Sequence, residues 1–172
     1  MLTTDQKGAV AELAIARAAA ECGVGVYKPL TDGERSDLIF EVESQLYRVQ
    51  CKYARLYGDV VKVRCYSTRR AKDGLRKRVY RSDEVDLIAV YCADLDRCFL
   101  LPDTVFDGRT EVDLRVGPCR NNQRRGVNDA FAFDFGARLT ALLHAMQEVA
   151  GSSPAGSIRF WPRTGADLSI ER

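Results

Sequence analysis

At 172 residues, with 46% hydrophobic and 29% charged side chains, the chain has the size and composition of one soluble globular domain with a buried core. Six cysteines (positions 22, 51, 65, 92, 98 and 119) include no C-x-x-C pair, and His144 is the one histidine, which leaves little material for a zinc centre or a histidine-dependent triad. The formal charge of +2 is small but unevenly spread, since residues 64–81 carry eight basic side chains against Asp73 alone, a net +7 that leaves the remainder at −5.

The cysteine pattern is that of free thiols in a reducing cytosol. The alanine-rich N-terminal stretch is interrupted by Glu12 and Arg17 and has no basic segment before it, unlike a targeting signal. No apolar run reaches the roughly 18 residues that span a bilayer. A cytoplasmic protein without membrane contact is expected.

Thr3 and Gln6 stand in capping-box spacing before "GAVAELAIARAAAEC", and Gly23 supplies the stop, so a first helix is predicted. At 100° per residue, the face centred on Glu12 carries Gly8, Ala9, Ile15, Ala16 and Ala19, with Lys7, Arg17 and Glu21 opposite. A carboxylate in the middle of a small apolar face requires a cation, because burying it alone is costly.

"VGVYKPL" predicts an edge strand ending at Pro29, and "TDGER" a turn. Residues 36–54, "SDLIFEVESQLYRVQCKYA", then read as a β-hairpin closed by Glu43, Ser44 and Gln45. Leu38, Phe40 and Val42 share one face of its first strand, with Asp37, Ile39 and Glu41 on the other. In the second strand Val49 and Cys51 share one face, and Gln50 and Lys52 the opposite one. The hairpin therefore brings Asp37, Gln50 and Lys52 to its open end.

Residues 59–66 predict a further strand, with Val61, Val63 and Cys65 on one face. The basic segment 67–82 lacks an apolar period and reads as a loop with a short helix. Its Arg69, Arg70, Lys72, Arg76, Lys77, Arg78 and Arg81, together with Arg124 and Arg125 from the acid-free stretch 115–126, are the candidate contacts to a polyanion such as a nucleic acid. A charge run by itself is equally a solvated loop. "VDLIAVYC" (85–92) predicts a buried strand, "ADLD" a turn, "RCFLLP" (97–102) its hairpin partner and "EVDLRV" (111–116) another strand. "ARLTALLHAMQEVA" has helical spacing, with His144 on its surface. Residues 1–150 are thus expected to form one domain and the Gly/Ser/Pro-rich 151–172 a partly ordered tail.

This order of elements predicts an α/β fold, a mixed β-sheet flanked by helices. If the first helix packs on that sheet, Glu12 approaches Asp37. Two carboxylates and a backbone carbonyl, at Cys51, then form an oxygen-rich site for a hard divalent cation, Mg²⁺ or Mn²⁺. Such an ion supplies a nucleophilic hydroxide and offsets charge on a phosphorane-like transition state, while Lys52 orients the water or neutralises the phosphate. Taken singly, Gln50 also reads as an inert strand residue and Asp37 as a turn cap.

"SD" followed after twelve intervening residues by "QCK" resembles the PD-(D/E)XK nuclease motif, with Asp37, Gln50 and Lys52 at its positions and Glu12 as the helix acid. Serine stands for the motif's proline, and Gln50 for its usual acid. The Gln-x-Lys form, the "GxxxE" helix and "NNQRRGVNDAFAFD" resemble the homing endonucleases encoded in bacterial group I introns, over roughly residues 5–135. The resemblance implies a restriction-endonuclease-like core, metal-dependent DNA cleavage, and a homo-dimer or homo-tetramer. Archaeal Holliday-junction resolvases, normally Glu-x-Lys, are the nearest competing family, and a non-catalytic DNA-binding relative is the reading from a different class.

Overall fold

The computed structural model describes residues 1–31, 33–72, 74–118 and 128–142, with the side chains of residues 70 and 71 outside that description. Helix α1 (Thr4–Glu21) is followed by β1 (Gly25–Tyr27), β2 (Leu38–Val42), β3 (Gln45–Tyr57) and β4 (Val60–Arg64). Next come β5 (Tyr66–Ala71), β6 (Gly74–Val79), β7 (Leu87–Cys92) and β8 (Arg97–Pro102). A short α2 (Asp103–Phe106), β9 (Glu111–Arg115), β10 (Asn128–Asp129), a 3₁₀ turn (Ala130–Phe133) and helix α3 over 135–142 complete the described chain.

Eight strands form one mixed sheet, parallel only at β3–β7 and β9–β10, while β5 and β6 pair apart from it as a two-stranded ribbon. β3 is the spine. β2 pairs with it antiparallel from Gln45 to Val49, and β7 runs parallel along its other edge from Val49 to Ala54. Successive strand residues turn their N–H groups to opposite edges. Leu56 turns its N–H to the Asp94 carboxylate just past β7, at 2.8 Å, so Arg55 and Tyr57 face β4 on the edge that β2 occupies. Between Val49 and Arg55 that edge carries no strand. β2 and β4 fork apart there.

The capping box forms as its spacing predicts, Gln6 N–H donating to Thr3 Oγ1 at 3.2 Å and Thr3 N–H to Gln6 Oε1 at 2.9 Å. Gly23 follows the helix at φ +76°, a conformation that favours glycine. The buried stripe of α1 is Ala11, Ile15 and Ala19, not the Glu12-centred face that the wheel suggests. Small residues there let the helix lie close on the sheet, against Phe40, Val49 and Ala89. Glu12 sits about 100° round the wheel from Ala11, on the rim of the contact, and Ala9 is exposed.

Leu38, Phe40 and Val42 are buried as their alternation predicts. The hairpin closes on two residues, since Val42 pairs with Gln45 and Glu43 and Ser44 both adopt left-handed backbone, at φ 51° and 65°. Gln45 therefore belongs to β3 rather than to the turn. Alternating residues of β7 feed two cores: Leu87 and Ala89 pack under α1, Ile88 and Val90 on the opposite side with Val61, Phe99 and Leu114.

Residues 67–82 differ from expectation. Instead of a loop with a short helix they form the β5–β6 ribbon, with Ser67 opposite Arg78, Thr68 opposite Lys77 and Arg69 opposite Arg76. Neither face of this ribbon is buried over most of its length, so the sequence carries no apolar period to announce it. The described cysteines are all free thiols, three of them buried. Among the described residues no helix is long and apolar enough to cross a membrane.

Candidate active site

The fork in the sheet leaves the Cys51 N–H without a strand partner. Asp37, one residue before β2, fills that place: its Oδ2 accepts from Cys51 N–H at 2.8 Å, while its own N–H donates to Val49 O at 2.9 Å. The same Oδ2 accepts from the side-chain amide of Gln50, whose Nε2 also lies 3.3 Å from Cys51 O. Gln50 is 7% exposed, the one polar residue among the fully buried described ones, and this bonding satisfies it. Because strand N–H and C=O groups leave on the same edge, Cys51 turns its carbonyl into the fork as well.

Gln50 and Lys52 lie on the sheet face opposite α1. Lys52 Nζ donates to Tyr80 Oη at 2.9 Å and to Tyr66 O at 3.3 Å, and stands 4.5 Å from the Tyr80 ring centroid. Burial lowers the Lys52 pKa to about 8, with Asp37 opposing and Arg35 reinforcing the shift. Asp37 is raised above the ordinary carboxylate value, first by burial and then by the like charge of Glu12, against the pull of the Cys51 N–H and Lys52. The Cys51 thiol is held well above its usual range by burial, so its side chain stays a neutral packing group.

Glu12 reaches the fork from the other face. Its side chain is 25% exposed and its Oε2 lies 2.8 Å from Lys28 Nζ. The cation that Glu12 requires is thus Lys28, at the end of β1. Glu12, Lys28, Ser36 and Asp37 line one cleft of about 120 Å³, room for a few waters at roughly 30 Å³ each. The Glu12 and Asp37 carboxylates in this polar cleft fit a hard divalent ion that keeps part of its water shell. The raised Asp37 supports the fit, because its buried anion stands beside a second anion and is stabilised by any cation placed between them. Among the described residues no three His, Cys, Asp or Glu side chains converge as a ligand set.

The basic candidates occupy the ribbon. Arg69, Lys72, Arg76, Lys77, Arg78 and Arg81 are exposed. Arg69 donates to Gly33 O at 3.0 Å, Lys77 stands 4.9 Å from the Tyr66 ring, and Arg78 pairs with Glu84. Arg124, Arg125, His144 and the tail at 151–172 lie outside the described residues, as does the side chain of Arg70.

Arg35 was not anticipated from sequence. Its guanidinium donates to Glu84 Oε2 at 3.1 and 2.9 Å, to Ser67 Oγ at 2.8 Å and to Val79 O at 3.0 Å, and lies 4.4 Å from the Tyr80 ring. It joins the Asp37 loop to the base of the ribbon. Its one local signal is the i, i+2 spacing to Asp37; Glu84 and Tyr80 are separated from it by more than forty residues and have none.

Comparison with known proteins bears on the family and the fold. The family model described as PD-(D/E)XK endonuclease matches residues 2–136. A solved bacterial homing endonuclease, I-Ssp6803I, superposes with a TM-score of 0.67 at 25% identity, over 86% of this chain and 99% of the other. No curated protein sequence matches.

Proposed function

The chain belongs to the PD-(D/E)XK endonuclease family, and from that premise we propose that it is a divalent-metal-dependent endodeoxyribonuclease of the homing type, cutting phosphodiester bonds in double-stranded DNA. The observation that carries this reading is the convergence of Asp37, Gln50 and Lys52 on one unpaired stretch of sheet edge, with Glu12 lining the same cleft. The likeness to I-Ssp6803I supports the homing type.

Glu12, Asp37 and the Cys51 carbonyl would hold Mg²⁺ or Mn²⁺. When bound, such an ion supplies an acidified water and offsets negative charge at phosphorus. Gln50 fixes the Asp37 carboxylate through its amide and so sets the direction of that ligand. Lys52 presents a positive charge close enough to Asp37 to interact with it, suited to a phosphate oxygen that gains charge as the P–O bond breaks. The exposed basic ribbon would carry the flanking duplex, and a two-stranded ribbon is of a width that the major groove admits.

A double-strand break needs one such centre per strand. The described residues hold one, so a homo-dimer or homo-tetramer is part of the proposal, open to sedimentation measurement. The deciding experiment is plasmid cleavage with Mg²⁺ or Mn²⁺ against EDTA. Nicked and linear products with metal alone are expected. Intact supercoiled DNA with retained gel-shift binding would instead identify a non-catalytic DNA-binding protein, and preferential cutting of a four-way junction a resolvase.

A further inference from the structure

The Lys52 ammonium has three N–H donors, and two have protein acceptors: Tyr80 Oη at 2.9 Å and the Tyr66 carbonyl at 3.3 Å. These acceptors are the two ends of the basic ribbon, the first residue of β5 and the residue after β6. Tyr80 is itself held rigidly. It is 2% exposed, its N–H donates to Cys65 O at 3.0 Å, and its carbonyl accepts from Gly108 N–H at 3.2 Å. Arg35 lies against its ring and ties the same ribbon base to the Asp37 loop through Ser67 and Val79.

From this geometry we infer that Tyr80 is a positioning residue for cleavage, whose hydroxyl aims the Lys52 ammonium at the scissile phosphate. This role of Tyr80 rests on the one given to Lys52 under the proposed function. A lysine on a four-carbon stem has many rotamers, and burial of the ring alone does not select one. The hydroxyl fixes one donor and the Tyr66 carbonyl a second, which leaves the third for a phosphate oxygen. Without the hydroxyl the ammonium keeps its charge and one anchor but loses its fixed direction. Misplacement by an ångström suffices to slow a reaction that depends on placement. Because both anchors sit at the ribbon's base, the ribbon also supports the lysine while its outer residues meet the duplex.

Tyr80→Phe tests this, since it retains the ring and removes only the hydroxyl. Steady-state cleavage in Mg²⁺, gel-shift affinity for the cleaved duplex and thermal unfolding are measured on the full chain. The expected result is a kcat about 10-fold lower with KM and DNA affinity within error of the wild type, and a fall in the unfolding midpoint no larger than one lost hydrogen bond to a charged group brings. A kcat equal to that of the wild type overturns the inference and leaves the proposed function standing. A fall in kcat accompanied by an equal loss of DNA affinity also overturns it, because Tyr80 would then act on the ribbon as a whole. A wild-type protein that cuts no DNA overturns the functional reading and this inference together.

Discussion

The side-chain amide of Gln50 donates to the same Asp37 oxygen that accepts the Cys51 N–H at 2.8 Å. An acid at position 50 cannot make that bond while both groups are ionised. The glutamine therefore converts a repulsive pair into a bonded one, and the neutral amide holds Asp37 in place where two acids need a cation to do so.

Gln50→Glu reverses this. Without metal, two carboxylates share one buried site and the variant is expected to lose roughly 1–3 kcal/mol of stability, the cost of an unmet buried hydrogen bond. With Mg²⁺ it should recover more than the wild type does, because each bound ion stabilises the folded form by mass action. Thermal melts in EDTA and in Mg²⁺ read both effects. Identical melts for the two forms would put Gln50 outside the metal's reach.

Asp37→Ala and Lys52→Ala should each reduce cleavage by at least about 100-fold, on the scale of removing one electrostatic stabiliser. DNA affinity should remain near that of the wild type, since neither residue is on the outer ribbon. Glu12→Ala should also lower cleavage. Lys28→Met removes the cation that engages Glu12, so half-maximal cleavage should need less Mg²⁺. A metal titration of cleavage checks all four, and wild-type rates in Asp37→Ala or Lys52→Ala would remove the site assignment.

Replacing Arg76, Lys77 and Arg78 by alanine should weaken binding to every duplex alike. Each lost phosphate contact lowers the slope of log K against log salt by about 0.9. Glu84 already engages Arg78, so Arg78→Ala should cost less affinity than Lys77→Ala. Fluorescence anisotropy across a salt series measures this. An unchanged slope in the triple variant would take the ribbon off the DNA.

Lys52 also has a signature in stability. Its folded pKa of about 8 lies below its ordinary 10.5, so the unfolded chain holds the proton more tightly. Below pH 8 both states are protonated and the whole burial cost stands. Between pH 8 and 10.5 only the unfolded state keeps the proton, so stability rises with pH relative to a chain without this lysine. The interval corresponds to on the order of 3 kcal/mol, less what the bonds to Tyr80 and Tyr66 return. Lys52→Met should then be more stable than the wild type at pH 7, with the gap narrowing toward pH 10. Urea unfolding at the two pH values checks it, and a constant gap would contradict a buried ammonium.

What the sequence made legible followed from one-sided burial. Leu38, Phe40 and Val42 fixed the face of β2, and the apolar run at 87–92 announced a strand covered on both sides. The capping box located the start of α1 because its chemistry is local. Glu12 was placed one position off the true buried stripe, since alanines on neighbouring faces blur the wheel of so small-sided a helix. The ribbon at 66–79 was illegible because charge lies on both of its faces. Arg35, Glu84 and Tyr80 were hidden for another reason: long-range contacts between loops leave no periodic trace.

The ribbon stands outside the main sheet, joined to the rest of the molecule by bonds at its base and, further along, by Arg69 on the Gly33 carbonyl and Arg78 on Glu84. That makes it a cassette. On the proposed DNA contact, exchange of residues 68–78 for another two-stranded segment is expected to change the duplex bound, provided Tyr66, Ser67, Val79 and Tyr80 are retained as the graft junctions. A graft that also replaced Tyr80 would carry off the side-chain anchor of Lys52 and impair cutting, whereas the Tyr66 anchor is a backbone carbonyl that any residue supplies.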